Sequence, residues 1–144
     1  MARNEISIDA PPERVFEVLS EPTTFADWVP GTRQITDIDD AWPAEGASFR
    51  YVAGLPGLEI RDRTFVRRSL PPELLELKIQ VGPLAPARAL IELTGQGTGT
   101  RVTMLEEPAH PLMRLAIGPL GHALIRIRNV EALRRLKRLV EARA

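Results

Sequence analysis

The sequence of 144 residues contains no cysteine. Disulfide bonds, thiolate catalysis and cysteine-ligated metal sites are therefore excluded. Only two histidines are present, His110 and His122, and a zinc site built on several imidazoles is not expected from so few. We expect neither a metal nor a cofactor.

The chain also lacks an excess of charge. Its 19 basic and 19 acidic side chains balance, so no global field favours nucleic acid or an anionic membrane. No apolar run reaches the roughly 18 residues of a membrane-spanning helix. The first five residues lack the apolar region of a secretory signal. We expect a cytoplasmic protein that is not an integral membrane protein and does not bind nucleic acid.

What the sequence does contain is an ordered series of hydrophobic periodicities. Residues 5–9 alternate between polar and apolar, as a half-buried strand does. A short helix with an apolar face starts at Pro12 and ends before Pro22. A second short helix is predicted over residues 25–28, with Thr24 as its candidate cap.

A strand-rich stretch follows the two short helices. The predicted strands cover residues 34–39, 47–53, 59–70, 75–81, 87–94 and 101–107. The glycines at 95, 97 and 99 lie between two of these strands, which indicates a hairpin loop and not a nucleotide-binding fingerprint.

The C-terminal part predicts one long amphipathic helix. Pro108 and Pro111 prevent regular helix before about Leu112, and the Gly118–Pro119 pair should kink or break the helix. Its main part runs over about 120–142. One face is apolar and contains Ile125, Ala132, Leu133, Leu136, Leu139 and Val140. The other is mostly basic and contains Arg128, Glu131, Arg134, Arg135 and Arg138; it is either solvated or a docking surface for an acidic partner.

These elements together predict the fold. A single sheet of this many strands cannot bury both of its faces by itself. It must curl, and only the C-terminal helix is long enough to fill the curl. We therefore predict one α+β domain over residues 1–144, in which a curved antiparallel sheet of six or seven strands wraps around that helix. A sheet that grips a helix in this way usually leaves space for a ligand.

Four segments carry a family resemblance, namely residues 8–16, 28–31, 99–108 and 126–136. They resemble the START-like helix-grip superfamily (SRPBCC), and within it the bacterial polyketide cyclase/dehydratase and lipid-transport branch. The resemblance covers nearly the whole chain and implies the helix-grip fold with an internal cavity. Members bind lipids, polyketides, hormones or quinones, and only some are enzymes, so the resemblance does not decide the function.

Strand parity and position identify candidate residues of the cavity wall. Alternating apolar rows of the strands would face the helix, and the small Ala87 and Ala89 would leave room there. The predicted ligand cavity is lined by Trp28, Phe49, Tyr51, Thr64, Leu77, Ile79, Ala89, Ile91, Met104, Glu106, His110 and Asn129.

The polar candidates each allow two interpretations. Glu106 is either a ligand anchor or general base, or it is solvated or paired with an arginine. His110 is an acid or base at the cavity mouth, or an exposed loop residue. Asn129 bonds a ligand or bonds backbone groups. For Asp62 two orientations of its strand are possible: either Asp62 faces inward, or its neighbours Arg61 and Arg63 do. Tyr51 offers a hydroxyl to a ligand.

The preferred function is binding or transport of a small hydrophobic or amphipathic molecule, such as a lipid, polyketide or aromatic compound. The alternative is a polyketide cyclase or aromatase, with Glu106, His110 or Tyr51 as acid or base. A third hypothesis is a protein-interaction module that uses the basic helix face. No nucleophile–base pair stands out, so no catalytic residue is assigned. A monomer or a homodimer is expected.

Overall fold

The computed structural model describes residues 2–55, 57–82, 84–108 and 110–143. Within these ranges the strands are β1 (Ala2–Ile8), β2 (Thr32–Thr36), β3 (Ser48–Leu55), β4 (Leu58–Leu70), β5 (Leu74–Val81), β6 (Leu84–Gln96) and β7 (Gly99–Pro108). The helices are α1 (Pro12–Leu19), α2 (Phe25–Trp28) and α3 (Pro111–Ala142), and a 3₁₀ turn over Pro22–Thr24 joins α1 to α2.

The strands form one curved antiparallel sheet in the order β1-β7-β6-β5-β4-β3-β2. From β2 to β7, each strand pairs with the next one along the chain, whereas β1 pairs with β7. Val102 of β7 thus lies opposite Ile6 on one side and Leu93 on the other. The predicted α+β helix-grip fold is confirmed, with seven strands.

The helix α3 consists of two segments that meet at Gly118. This residue has φ 65° and ψ −173°, outside the helical region, and Pro119 after it has no N–H with which to continue the helical hydrogen bonds. The predicted kink is confirmed. Beyond it, Leu133 and Leu136 are fully buried against the sheet. No helix in the described part of the chain is long and apolar enough to cross a membrane.

Thr24 precedes α2 but does not cap it, contrary to the sequence-based expectation. Its φ of −64° and ψ of −21° are already helical, whereas a capping residue is typically extended. Its hydroxyl instead lies 2.7 Å from the carbonyl oxygen of Glu21 and 3.0 Å from that of Val18. Thr24 therefore ties α2 to the end of α1.

The structure shows which side chains of β4 point inward. Thr64 and Val66 are buried, and Asp62 shares their parity. A register shift lies between Val66 and Arg68, and both arginines after Val66 are exposed. A bulge puts consecutive side chains on one side of the strand, so the alternation does not continue through the whole of β4.

Four aromatic side chains, two of them from α2, pack together between α2 and the sheet. The ring of Phe49 on β3 lies 5.0 Å from that of Phe25 and 4.8 Å from that of Trp42. Trp28 completes the group, 4.9 Å from Phe25. All four are less than 8% exposed, so they fix α2 and the β2–β3 connection to the sheet.

Candidate functional site

A cavity of about 340 Å³ lies between the sheet and α3. Its wall comes from α2 and the loop after it, from strands β2 to β7, and from α3. Small-molecule sites in proteins have volumes of roughly 300–1,000 Å³ and are mostly apolar. The size and position of this cavity are therefore those of a small ligand site.

Most residues predicted for the ligand cavity line this space. Those that do are Trp28, Phe49, Tyr51, Thr64, Leu77, Ile79, Ala89, Ile91, Met104, Glu106 and Asn129. Ala87, the second small residue of the predicted inward row, also belongs to the wall. Whether these residues hold a ligand remains a prediction.

His110 lies elsewhere and is not part of the cavity wall. It is exposed and occupies the position before the first turn of α3. Its Nδ1 atom accepts a hydrogen bond from the backbone N–H of Leu112 at 3.1 Å. The first N–H groups of a helix have no partner within the helix, so the imidazole acts here as a helix cap.

Cross-strand pairing places the lining residues in rows. Ala89 of β6 lies between Leu77 of β5 and Glu106 of β7. Directly opposed side chains on one face of a sheet are about 5 Å apart. Because the alanine side chain is one methyl group, the larger neighbours on both sides leave a depression at the centre of the row.

Glu106 and Arg128 form an ion pair in the cavity wall. Their Oε1 and Nη1 atoms are 3.3 Å apart, and the carboxylate side chain is only 12% exposed. A helical projection places Arg128 on the basic face of α3; in the structure its side chain is 41% exposed and also lines the cavity. The positive charge of Arg128 offsets the negative charge of Glu106.

No cluster of three or more potential metal ligands occurs among the described residues.

Tyr51 and Asp62 are cross-strand neighbours on β3 and β4. The Tyr51 hydroxyl donates a hydrogen bond to the carbonyl oxygen of Gln80. The Asp62 carboxylate accepts hydrogen bonds from the backbone N–H groups of Gly82 at 2.7 Å and Arg63 at 2.8 Å. Burial, and then the charge of Asp62, raise the pKa of Tyr51 to about 12, and Arg128 lowers it in part. Tyr51 therefore stays neutral at physiological pH.

Tyr51 is the only tyrosine in the chain, which makes its ionisation directly measurable. We expect tyrosinate absorbance, read just after a pH jump and before unfolding, to give a midpoint near pH 12. The raised pKa stabilises the folded state fully below about pH 10, and that contribution is lost as the pH rises from about 10 to 12.

Two controls test whether the absorbance change comes from the buried Tyr51 hydroxyl. In denaturant the midpoint should return to about pH 10, the value for an exposed tyrosine. The Tyr51→Phe variant should show no absorbance change. A midpoint near 10 in the folded protein would contradict the burial of this hydroxyl.

Trp28 and Asn129 are two further predicted wall residues that carry hydrogen-bond donors. They are 2% and 1% exposed. Neither the Trp28 Nε1 nor the Asn129 Nδ2 atom has a hydrogen-bond partner within the described part of the chain. A buried donor of this kind needs a partner, so both stand out in a wall that is mainly apolar.

The sequence and the fold are similar to those of known proteins. The sequence profile of one family, described as polyketide cyclase / dehydrase and lipid transport, matches residues 2–141. None of the curated proteins matches the sequence.

Solved structures with the same fold are numerous. A protein of Thermus thermophilus is 21% identical with a TM-score of 0.74, covering 99% of this chain and 98% of its own. A protein of Rhodobacter sphaeroides is 22% identical with a TM-score of 0.74, covering 98% and 93%. DynU16, from the dynemicin biosynthetic locus, is 21% identical with a TM-score of 0.72. This match covers 97% of the chain but 46% of DynU16. Identities this low show the shared fold alone.

Proposed function

This chain belongs to the polyketide cyclase / dehydrase and lipid transport family, and we propose that it binds a small hydrophobic or amphipathic molecule in the cavity between the sheet and α3. Lipids, polyketides and aromatic compounds are the ligand classes that fit this proposal. The observation that carries it is the cavity itself, about 340 Å³ in volume and lined mainly by apolar side chains.

We place the entrance of the proposed site beside the loop after α2. The wall here includes Gly31, which is exposed, and Gly54 of β3. The backbone N–H of Gly54 donates a hydrogen bond to the carbonyl oxygen of Gly31 at 2.9 Å. This bond joins the loop to the β3–β4 hairpin, and a ligand would enter between these segments and α3.

Native mass spectrometry tests the proposal on the protein as it is purified from cells. We expect a bound molecule that is released on unfolding and can be extracted into organic solvent. The same preparation, stripped of ligand by solvent extraction and refolded, should bind the neutral apolar dye phenylnaphthylamine with a rise in fluorescence. A stripped protein that folds but binds no apolar probe would contradict the proposed function.

Filling the cavity should abolish binding. The methyl group of Ala89 faces the cavity at the centre of the sheet, so the phenyl ring of an Ala89→Phe variant would occupy the ligand volume. We expect the affinity for phenylnaphthylamine to fall at least about a hundredfold, because a close-packed wall leaves no space for both groups. Fluorescence titration measures this loss.

The matched control lies next to Ala89 on the same strand. Leu90 points to the other face of the sheet, so Leu90→Phe adds a ring to β6 without entering the cavity. We expect this variant to bind the dye as the parent does. Equal binding by the Ala89→Phe protein, with its fold intact by circular dichroism, would place the ligand outside the cavity.

The two other hypotheses remain predictions. A cyclase or aromatase would use Glu106 or Tyr51, and turnover of a polyketide mimic that is lost in Glu106→Gln would support it. For an interaction module, the basic face of α3 would have to be available. Arg135 and Arg138 there both contact the carboxylate of Glu131, at 3.0 Å and 3.4 Å, so part of its charge is already neutralised within the helix.

A further inference from the structure

The first part of α3 and the tip of the β3–β4 hairpin expose large apolar side chains. Leu55 and Leu58 at the hairpin tip are 69% and 77% exposed. Five side chains of α3 are 59–81% exposed, namely Leu112, Leu115, Leu120, Leu124 and Ile127. We call these seven residues the apolar rim. A large exposed apolar surface in a folded protein marks a site of interaction with a protein or a membrane.

The sheet places both parts of the apolar rim at one end of the molecule. In an antiparallel sheet, alternate strands run in the same direction, so β3, β5 and β7 all end at the same edge. The hairpin tip follows the end of β3, and α3 begins at Pro111, three residues after the end of β7. This is also the end at which we place the entrance of the cavity.

The second segment of α3 runs alongside β1 in the same direction. Nδ2 of Asn4 donates to the carbonyl oxygen of Arg126 at 3.2 Å, and further along Nζ of Lys137 donates to that of Ser7 at 2.7 Å. From Arg126 back to Gly118 the helix covers about 12 Å. Only two residues of β1 precede Asn4, about 7 Å of strand. The rim residues before Arg126 therefore lie on a length of helix that extends past the end of β1.

The charges at this end favour an anionic partner. Residues 108–130 contain three arginines and no aspartate or glutamate, and the side chain of Arg126 is exposed. At the base of the hairpin, Arg33 and Arg61 both lie within 3.5 Å of the carboxylate of Glu59, so two guanidinium groups face one carboxylate. Apolar side chains bordered by arginines are typical of a helix that lies in the surface of an anionic bilayer.

A second copy of the chain fits this surface less well. A symmetric dimer brings the same patch of both copies together. The arginines of residues 108–130 in one copy would then meet those of the other, and this stretch supplies no carboxylate to separate them. Like charges that face each other across an interface disfavour association.

We propose that the apolar rim docks on the surface of an anionic lipid bilayer. The leucines would enter the boundary between headgroups and acyl chains, and Arg126 would lie among the lipid phosphates. No helix in the part of the chain that the structure describes can span a bilayer, so the contact is a surface one. The proposal concerns the outside of the molecule and does not depend on what the cavity holds.

Sedimentation with lipid vesicles tests the proposal on the whole chain. One set of vesicles contains equal parts of phosphatidylcholine and phosphatidylglycerol, and the other contains phosphatidylcholine alone. We expect binding to the anionic vesicles to be at least about tenfold tighter. High salt should remove most of this difference, because it screens exposed charges.

The double variant Leu120→Gln/Leu124→Gln removes apolar surface from the rim and keeps side chains of similar length. We expect it to bind the anionic vesicles at least about tenfold more weakly. The matched control is Ile38→Gln/Leu70→Gln. These two side chains are 39% and 51% exposed but lie beyond the ends of β2 and β4, at the opposite end of the sheet. The control should bind as the parent does.

The variant Arg126→Gln tests the charge separately from the apolar surface. We expect it to weaken binding to the anionic vesicles about fivefold, the effect of one basic side chain near such a surface. Binding to phosphatidylcholine alone should not change. All variants should retain the circular dichroism of the parent.

Each other outcome overturns the docking surface. Equal binding to the two kinds of vesicle would remove the role of charge, and undiminished binding by Leu120→Gln/Leu124→Gln would remove that of the rim. A dimer in analytical ultracentrifugation that this variant abolishes would identify a second copy as the occupant. Phenylnaphthylamine binding, measured without vesicles, should be the same in the variant and the parent. Loss of vesicle binding with dye binding intact therefore leaves the proposed function standing.

Discussion

Replacing Phe49 by alanine is expected to lower the free energy of unfolding by about 3–5 kcal/mol. The side chain is 2% exposed and its ring contacts those of Phe25 and Trp42. The variant removes this apolar area from the core and leaves a hole that the neighbouring rings can fill only in part. Chemical denaturation with urea, followed by tryptophan fluorescence, measures the change.

Phe65 provides the matched control for Phe49. It lies on β4, opposite Ser48, and its parity is the reverse of that of the buried Thr64 and Val66. Because Phe65 is only half-buried, we expect Phe65→Ala to cost about 1 kcal/mol. Equal losses in the two variants would show that the aromatic group between α2 and the sheet is not the main source of stability at this end of the sheet.

The variant Gly54→Ala is expected to destabilise the protein by at least about 3 kcal/mol. Gly54 has φ +105°, a conformation that side chains rarely adopt, and a Cβ atom there would lie 2.4 Å from the carbonyl oxygen of Leu58. This oxygen belongs to the backbone of β4 and can move only if the hairpin opens. Thermal unfolding and dye binding should both be affected, because Gly54 also bonds Gly31 at the proposed entrance.

Gly57 in the same hairpin separates the cost of the positive φ from the cost of the close contact with Leu58. Its φ is +87°, but no atom lies within 4 Å of a Cβ built there. Gly57→Ala therefore carries only the backbone cost, about 1–2 kcal/mol, and should leave dye binding unchanged. If Gly54→Ala were no more destabilising than Gly57→Ala, the close approach to Leu58 would not contribute.

Much of the fold could be predicted from the sequence because most strands alternate clearly between apolar and polar residues. In β5, β6 and β7 every second side chain faces α3. The residues of these strands that line the cavity therefore all belong to one alternating row of each strand. The parity of β4 could not be predicted, because an alternating strand with polar and apolar residues on both faces has two possible orientations. Its bulge after Val66 then breaks the pattern in a way that no residue type signals.

The site was predicted less completely where long side chains and helix ends are involved. Arg128 falls among charged residues on a helical projection, but a guanidinium on a flexible chain can reach back to Glu106 over the edge of the apolar face. The position of His110 between two prolines predicts a loop residue at the cavity mouth, but the structure places it at the start of α3, outside the cavity wall. The imidazole there accepts a hydrogen bond from the backbone N–H of Leu112. A proline in the first turn of a helix is a sequence signal for the residue before it as the helix cap.

The pairing of β1 with β7 has a consequence for how the chain folds. Ile6 meets Val102, roughly a hundred residues later, and contacts this distant in sequence form slowly. During synthesis on the ribosome, strands β2 to β7 can assemble as successive hairpins, while α3 is still missing and their apolar inner face is open to water. Aggregation of nascent chains should therefore begin on this face, and it should cease once the last helix has been made.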